Sequence, residues 1–178
     1  MNPQVLHDYI IFPVLDAMKI YSGFEYNSSA ARQLLLATFA QESHCGDYLK
    51  QVKGPALGMP QMEPATIADL YKNFAVGDKR ELLFKFLSPA EQAYPSLIGM
   101  VGNLNYATAL ARMNYRRFPG ALPLFGDQEG MWKYYKKYWN SVVGAATQED
   151  FDTNWARYVK DVNFTDPTAR IKADTVVL

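Results

Sequence analysis

The chain has few of the residues that build covalent or metal-bound frameworks. Its 178 residues include a single cysteine, Cys45, and two histidines. One cysteine excludes an internal disulfide, and so small a set of His and Cys has no recognisable zinc-binding spacing. The sequence therefore implies neither a metal nor an organic cofactor, and the fold must be held by packing.

A surplus of one charge and long apolar runs are missing as well. Lys and Arg total 18, as do Asp and Glu, so no overall electrostatic field favours nucleic acid as a partner. No apolar run approaches the roughly 20 residues that a membrane-spanning helix needs. Residues 1–8 lack the basic region and small-residue cleavage site of a secretory signal. We therefore expect synthesis in the cytoplasm, without an export signal and without a membrane span.

Apolar residues with helical spacing dominate what is present. They make up 49% of the chain, with 14% aromatics, which is enough for a hydrophobic core. No Gly/Ser-rich linker divides the sequence, so we predict one mainly α domain over residues 1–165 and a C-terminal arm over 166–178. A long helix over residues 103–118 is expected at its centre. Residues that commonly cap helices precede or begin the other main helical segments: Asn2, Asn27-Ser28-Ser29, Asp78, Ser88, Asp127 and Thr147.

The most informative segment is an apolar helix that ends in a carboxylate. Residues 34–43 read Leu-Leu-Leu-Ala-Thr-Phe-Ala-Gln-Glu-Ser, which places Glu42 at the inner end of the helix. A carboxylate in such surroundings must be paired, solvated through a cleft, or protonated through a raised pKa. The last state is that of a general acid. The Gly- and Pro-rich segment 46–63 that follows is expected to form a loop, or two very short strands, along one wall of a cleft.

These two segments together resemble a known family. Glu42-Ser43, followed by Gly-Pro-Ala-Leu-Gly-Met-Pro-Gln-Met-Glu-Pro-Ala-Thr over residues 54–66, is similar to the paired motifs of soluble lytic transglycosylases and goose-type lysozymes of the lysozyme superfamily. The spelling is closest to lysozyme-like proteins of tailed bacteriophages. The second motif is matched at Ala56, Gly58, Gln61, Pro64 and Thr66. The resemblance implies a lysozyme-like helical domain that cleaves peptidoglycan at the cell wall or travels in the virion.

The resemblance also assigns roles to residues. Glu42 is the expected catalytic acid, and the substrate-binding candidates are Ser43, Gly58, Met59, Gln61 and Tyr115. Four of the five have a structural alternative. Ser43 can cap a helix end and Gln61 can bond the loop backbone. Gly58 can serve a turn that requires positive φ, and Tyr115 can be a core aromatic.

Glycosidases of the inverting or retaining type need a second carboxylate. Asp47 and Glu63 are the candidates near Glu42, although the family motif gives neither a catalytic role. The transglycosylase branch instead uses one Glu as acid and then as base, and the muramyl hydroxyl of the substrate replaces water. We expect this route between N-acetylmuramic acid and N-acetylglucosamine, with lysozyme-type hydrolysis as the alternative.

A basic and aromatic segment over residues 112–138 suggests a second partner surface. It contains six Lys and Arg against two acidic residues, interleaved with Tyr and Trp. Glycan strands would suit stacking aromatics and cations, while a solvated helix face with inward aromatics is the structural alternative. Two further functions remain open: an inactive virion or wall-binding protein of this fold that contacts other virion proteins, and a nucleic-acid-binding virion component.

Overall fold

The computed structural model describes residues 1–92, 98–141 and 144–174. Throughout these residues the fold is mainly helical and forms a single domain, as the sequence predicts. Among the described residues, the pairing of extended backbone is limited to two isolated β-bridges, Lys50 with Leu57 and Leu57 with Met62. The α-helices are α1 Pro3–Leu6, α2 Phe12–Ser22, α3 Ser29–Ser43, α4 Pro64–Asn73, α5 Asp78–Phe84, α6 Pro89–Gln92, α7 Ile98–Gly102, α8 Leu104–Arg116, α9 Gln128–Tyr135, α10 Gln148–Tyr158 and α11 Thr168–Asp174.

Two helices, rather than the single one predicted, form the centre of the domain. Residues 31–40 of α3 and residues 106–115 of α8 are all buried. The two helices contact each other; α10 and α9 also pack on α3, while α2, α5 and α7 also pack on α8. Small residues on α8, such as Ala107 and Ala111, allow this close approach. The central pair therefore holds the last turn of α3, with Glu42, at a fixed position.

Most of the predicted caps form as local chemistry dictates, but the predicted cap at Asp78 is wrong: Asp78 is the first residue of α5, and Gly77 stands at the cap position without a side-chain cap bond. The Asn2 side chain accepts from the backbone amides of Gln4 and Val5, and Ser28 accepts from Ala31. Ser88 and Glu91 exchange reciprocal bonds at the start of α6, as the capping-box sequence predicts. The remaining caps are Asn103, Asp127 and Thr147, each of which accepts from an amide of the first turn.

Two π-helical turns interrupt the regular helices. The first, His7–Ile11, lies just before Pro13. Its wider turn lets the Phe12 amide donate to the His7 carbonyl, so the helical path continues to Ser22 although Pro13 has no N–H. The second, Lys136–Asn140, extends α9 toward the loop that follows.

The C-terminal segment is helical and bound to the N-terminus. Asn163 exchanges two hydrogen bonds with the Gln4 side chain, and Arg170 in α11 pairs with Asp8 at 2.8 Å. The predicted arm over residues 166–178 thus begins with a docked helix, and residues 175–178 lie outside the described residues.

In the described part of the chain, no helix combines the length and apolar character required to span a membrane.

Candidate active site

A cleft of about 1050 Å³ opens beside the C-terminal end of α3. The loop carrying the two β-bridges and the start of α4 form one wall. The end of α8, the α9 segment and residues 144–146 form the other. The loop wall that the sequence predicts is therefore present, and Glu42 lies in the cleft as predicted.

Glu42 is half-buried, and its carboxyl group has one hydrogen-bond partner among the described residues. The Tyr135 hydroxyl donates to Glu42 Oε1 at 2.7 Å. Burial raises the pKa of Glu42 to about 7, and the Tyr135 hydrogen bond opposes this rise only in part. The position of Glu42 in the last turn of α3, near the negative end of the helix dipole, also disfavours ionisation. The carboxyl group is thus substantially protonated near neutral pH.

Phenol groups surround the carboxyl group. Tyr135 is buried, and its own pKa is raised by burial and by the neighbouring Glu42 charge. Tyr48 and Tyr115 lie close enough for the Glu42 charge to raise the pKa of each, although burial is the larger cause in both. The groups nearest Glu42 are therefore neutral, and the site has the low polarity that a general acid requires.

The two candidates for a second carboxylate lie in different places. Asp47 does not line the cleft; it lies 3.5 Å from the N-terminal amine. Glu63 lines the cleft wall, is exposed, and precedes the first residue of α4. Asp69 also lines the cleft, but Arg117 holds it at 2.6 Å and lowers its pKa. Glu63 is therefore the second carboxylate that is in the cleft without an ion-pair partner among the described residues.

Three of the five substrate-binding candidates have structural roles instead. Ser43 is fully buried: its hydroxyl donates to the Met59 carbonyl at 2.7 Å and accepts from the Gly46 amide at 3.0 Å. Met59 is also fully buried, packing beneath the loop. Gly58 has φ +72°, and a Cβ there would lie 2.2 Å from the Met100 carbonyl oxygen. None of the three lines the cleft; instead they hold the loop against α3 and α7.

Tyr115 is likewise not a cleft residue. It is 1% exposed, its hydroxyl shares a 2.7 Å hydrogen bond with Thr38, and its ring lies 4.9 Å from that of Trp139. The prediction that it lines the groove is wrong, and its structural alternative, a core aromatic, is confirmed.

Cys45 is buried too, and burial raises the pKa of its thiol to about 12, so the thiol stays protonated.

Gln61 lies in the cleft as predicted. Its backbone has φ 47°, and its side-chain nitrogen donates to the Gly58 carbonyl at 2.7 Å. This bond is the loop-stabilising role considered from sequence. Its side-chain oxygen has no hydrogen-bond partner within the described residues, so it is free to accept one from a ligand.

Several cleft residues were not found from the sequence. Asn114 on α8 is 4% exposed, and its Oδ1 has no hydrogen-bond partner among the described residues. Part of the basic and aromatic segment packs inward, and part of it lines the cleft. Tyr134 and Tyr135 pack inward. The aromatic side chains that line the cleft, besides that of Tyr135, are Tyr48, Phe118, Tyr138 and Trp139.

A lysine holds the far edge of the cleft. The Lys136 ammonium donates to the Asn140 side chain at 2.7 Å and to the carbonyls of Gly144 and Ala146 at 2.6 and 2.9 Å. Three oxygen acceptors around one ammonium fix the loop against the π-helical turn. Among the described residues, no group of three or more His, Cys, Asp or Glu side chains is placed to hold a metal ion.

The aromatic side chains and the acid line the same cleft. Phe118 and Tyr138 stack at 4.5 Å between centroids. The arrangement can offer ring faces, two amide oxygens and one proton donor to a ligand.

Comparison of the chain with models of known protein families, with curated proteins and with solved structures finds no match in any of the three.

Proposed function

We propose that this protein is a peptidoglycan-cleaving glycosidase, a lytic transglycosylase of lysozyme-like fold encoded by a bacteriophage, with Glu42 as its general acid and base. The supporting observation is the Glu42 carboxyl group, which lies in an open cleft with its pKa raised to about 7. A glycosidic oxygen is a poor leaving group until it is protonated, and an acid with this pKa retains its proton at the pH of the cell wall. Lysozyme is the established example of an apolar pocket raising the pKa of a catalytic carboxyl group.

The cleft walls suit a glycan strand. The exposed parts of Phe118, Tyr138 and Trp139 offer faces on which sugar rings stack. The unpartnered oxygens of Gln61 and Asn114 are acceptors for the N–H groups of N-acetyl substituents. The open end and the volume of the cleft match a chain-like substrate better than a small enclosed ligand.

The reaction proceeds in two steps at one carboxyl group. Glu42 donates its proton to the bridging oxygen between N-acetylmuramic acid and N-acetylglucosamine, and the C1–O bond breaks. The Glu42 carboxylate then takes the proton of the muramyl C6 hydroxyl as that oxygen bonds to C1, which leaves a 1,6-anhydro end. No water is consumed, and Glu42 returns to its protonated form.

Hydrolysis is the second candidate, because Glu63 stands in the cleft without an ion-pair partner among the described residues. A carboxylate there can activate water, which an inverting or retaining mechanism requires. Transglycosylation is preferred because the motif that the sequence resembles assigns a catalytic role to Glu42 alone. Asp47, the other candidate, lies beside the N-terminal amine and does not line the cleft.

The test is to digest purified sacculi and to analyse the soluble fragments by mass spectrometry. The proposal predicts 1,6-anhydro ends from the wild type and from Glu63→Gln, and almost no fragments from Glu42→Gln. Reducing ends that disappear in Glu63→Gln would support hydrolysis instead. Sedimentation of the wild-type protein with sacculi without any fragment release would show a wall-binding protein and contradict the enzymatic proposal.

A further inference from the structure

A second cavity, of about 530 Å³, lies on a different face of α8 from the cleft. Arg112 and Arg116 line it, one helical turn apart, whereas Asn114 on the other side of the helix lines the cleft. The remaining wall is largely apolar and includes Phe24, Leu122 and Phe125. This volume is in the range of pockets that hold small organic ligands.

Arg112 is a buried cation without a counter-ion among the described residues. It is 5% exposed, and its Nε donates to the Tyr26 carbonyl at 3.1 Å, with the guanidinium 5.5 Å from the Tyr26 ring. Its two Nη atoms have no hydrogen-bond partner in the described part of the chain. Burial lowers the pKa of Arg112 to about 10, so it remains charged at neutral pH. A buried charge without a partner has a high free-energy cost, and a bound anion would offset that cost.

The other charged groups at the cavity leave it positive. The Arg116 guanidinium lies 4.1 Å from the centre of the Phe24 ring, and no acidic side chain among the described residues forms an ion pair with it. Glu25 also lines the cavity, but it is paired with Lys19 at 2.7 Å. The two guanidinium groups thus outnumber the one carboxylate at the cavity, which is paired with Lys19.

We propose that this cavity binds a monocarboxylate with an apolar body, whose two oxygens accept from the Nη1 and Nη2 atoms of Arg112. The end of a guanidinium with Nε already occupied presents two parallel N–H groups, which match the spacing of a carboxylate. The apolar part of the wall favours a ligand with a hydrocarbon body over inorganic phosphate, which has none. The apolar body packs on Leu122 and Phe125. This inference is independent of the activity proposed for the cleft.

The test is calorimetric titration of the full chain with octanoate, with octanamide of the same shape without the charge, and with inorganic phosphate. Octanoate is expected to bind at least about tenfold more tightly than either of the other two, since one buried charged hydrogen-bonded contact accounts for that factor. Arg112→Gln should lose this preference, and the matched surface variant Arg157→Gln should keep it.

A second measurement covers the case in which Arg112→Gln does not fold. In the wild-type protein, octanoate should shift the Arg112 Nε–Hε NMR signal, and octanamide should not. Equal binding of octanoate and octanamide, tighter binding of phosphate, unchanged affinity in a folded Arg112→Gln variant, or an unmoved Hε signal would each overturn the proposal.

Discussion

The hydroxyl of Tyr135 donates a 2.7 Å hydrogen bond to Oε1 of Glu42, joining α9 to the end of α3 across 93 positions of sequence. The bond holds the carboxyl group in one orientation, and it stabilises the ionised form enough to offset part of the rise in pKa caused by burial. Tyr135 is itself fixed by the rings of Trp132 and Phe151. The position of the Glu42 carboxyl group is thus set by α3, which carries it, and by Tyr135, which the neighbouring rings hold in place.

Tyr135→Phe tests this positioning. Losing the donor should raise the pKa of Glu42 further, by up to about one unit, so the alkaline limb of the pH–activity profile should move to higher pH. The maximal rate should fall by about tenfold, because the carboxyl group is no longer held in place. Tyr134→Phe, the neighbouring Tyr without this bond, is the matched control and should change neither quantity. An unmoved alkaline limb in Tyr135→Phe would contradict the role given to this hydroxyl.

Glu42→Gln should stabilise the protein at alkaline pH. A carboxyl group whose pKa is raised on folding holds its proton more tightly in the native state, so wild-type stability falls as pH rises from the unfolded pKa of 4.5 to the folded pKa of about 7. The full shift corresponds to roughly 3 kcal/mol, which the partial exposure of Glu42 reduces. Urea unfolding of the two proteins at about pH 4 and about pH 8 measures the difference. It should be small in acid and favour the variant in base; equal stability at both values would show that the pKa of Glu42 is ordinary.

Gly58→Ala should destabilise the loop wall. The substitution combines a positive φ with a Cβ placed 2.2 Å from the Met100 carbonyl oxygen, so the loop must move away from α7. We expect a loss of more than about 2 kcal/mol, measured by thermal or urea unfolding. Gly102→Ala is the matched control, since a Cβ there meets nothing within 4 Å. A Gly58→Ala protein as stable as Gly102→Ala would contradict the close approach.

Lys136→Met should loosen the far edge of the cleft without unfolding the domain. The variant removes the three hydrogen bonds to Asn140, Gly144 and Ala146. Amide hydrogen exchange at Gly144 and Ala146 should speed up by about tenfold or more, and binding to sacculi should weaken. Lys133→Met, which removes an exposed lysine paired with Glu129, should leave both unchanged. Unaltered exchange in Lys136→Met would show that the loop is held by other contacts.

The sequence predicted the parts of the fold that local chemistry determines. Caps at Asn2, Ser28 and Thr147 were found because a side-chain oxygen next to free amides acts within a few residues. The place of Glu42 followed from an apolar helix that ends in a carboxylate. The loop wall followed from its glycines and prolines.

Contacts between distant residues were not predictable in this way. Nothing near Tyr135 in the sequence points to Glu42, and an unpartnered amide oxygen on Asn114 becomes visible only when its surroundings are known. Ser43 and Gly58 show the other difficulty. A small or polar residue in a motif can serve the substrate or the loop, and only the Met59 and Met100 carbonyls show that here it serves the loop.

The most direct test is the rate at which purified sacculi are solubilised by Glu42→Gln compared with the wild type, at about pH 6, where the Glu42 carboxyl group is largely protonated. Asp47→Asn, which changes a carboxylate outside the cleft, is the control. We expect the rate of solubilisation to fall by at least about 100-fold in Glu42→Gln and to stay unchanged in Asp47→Asn. Wild-type activity that survives in a folded Glu42→Gln protein would contradict it.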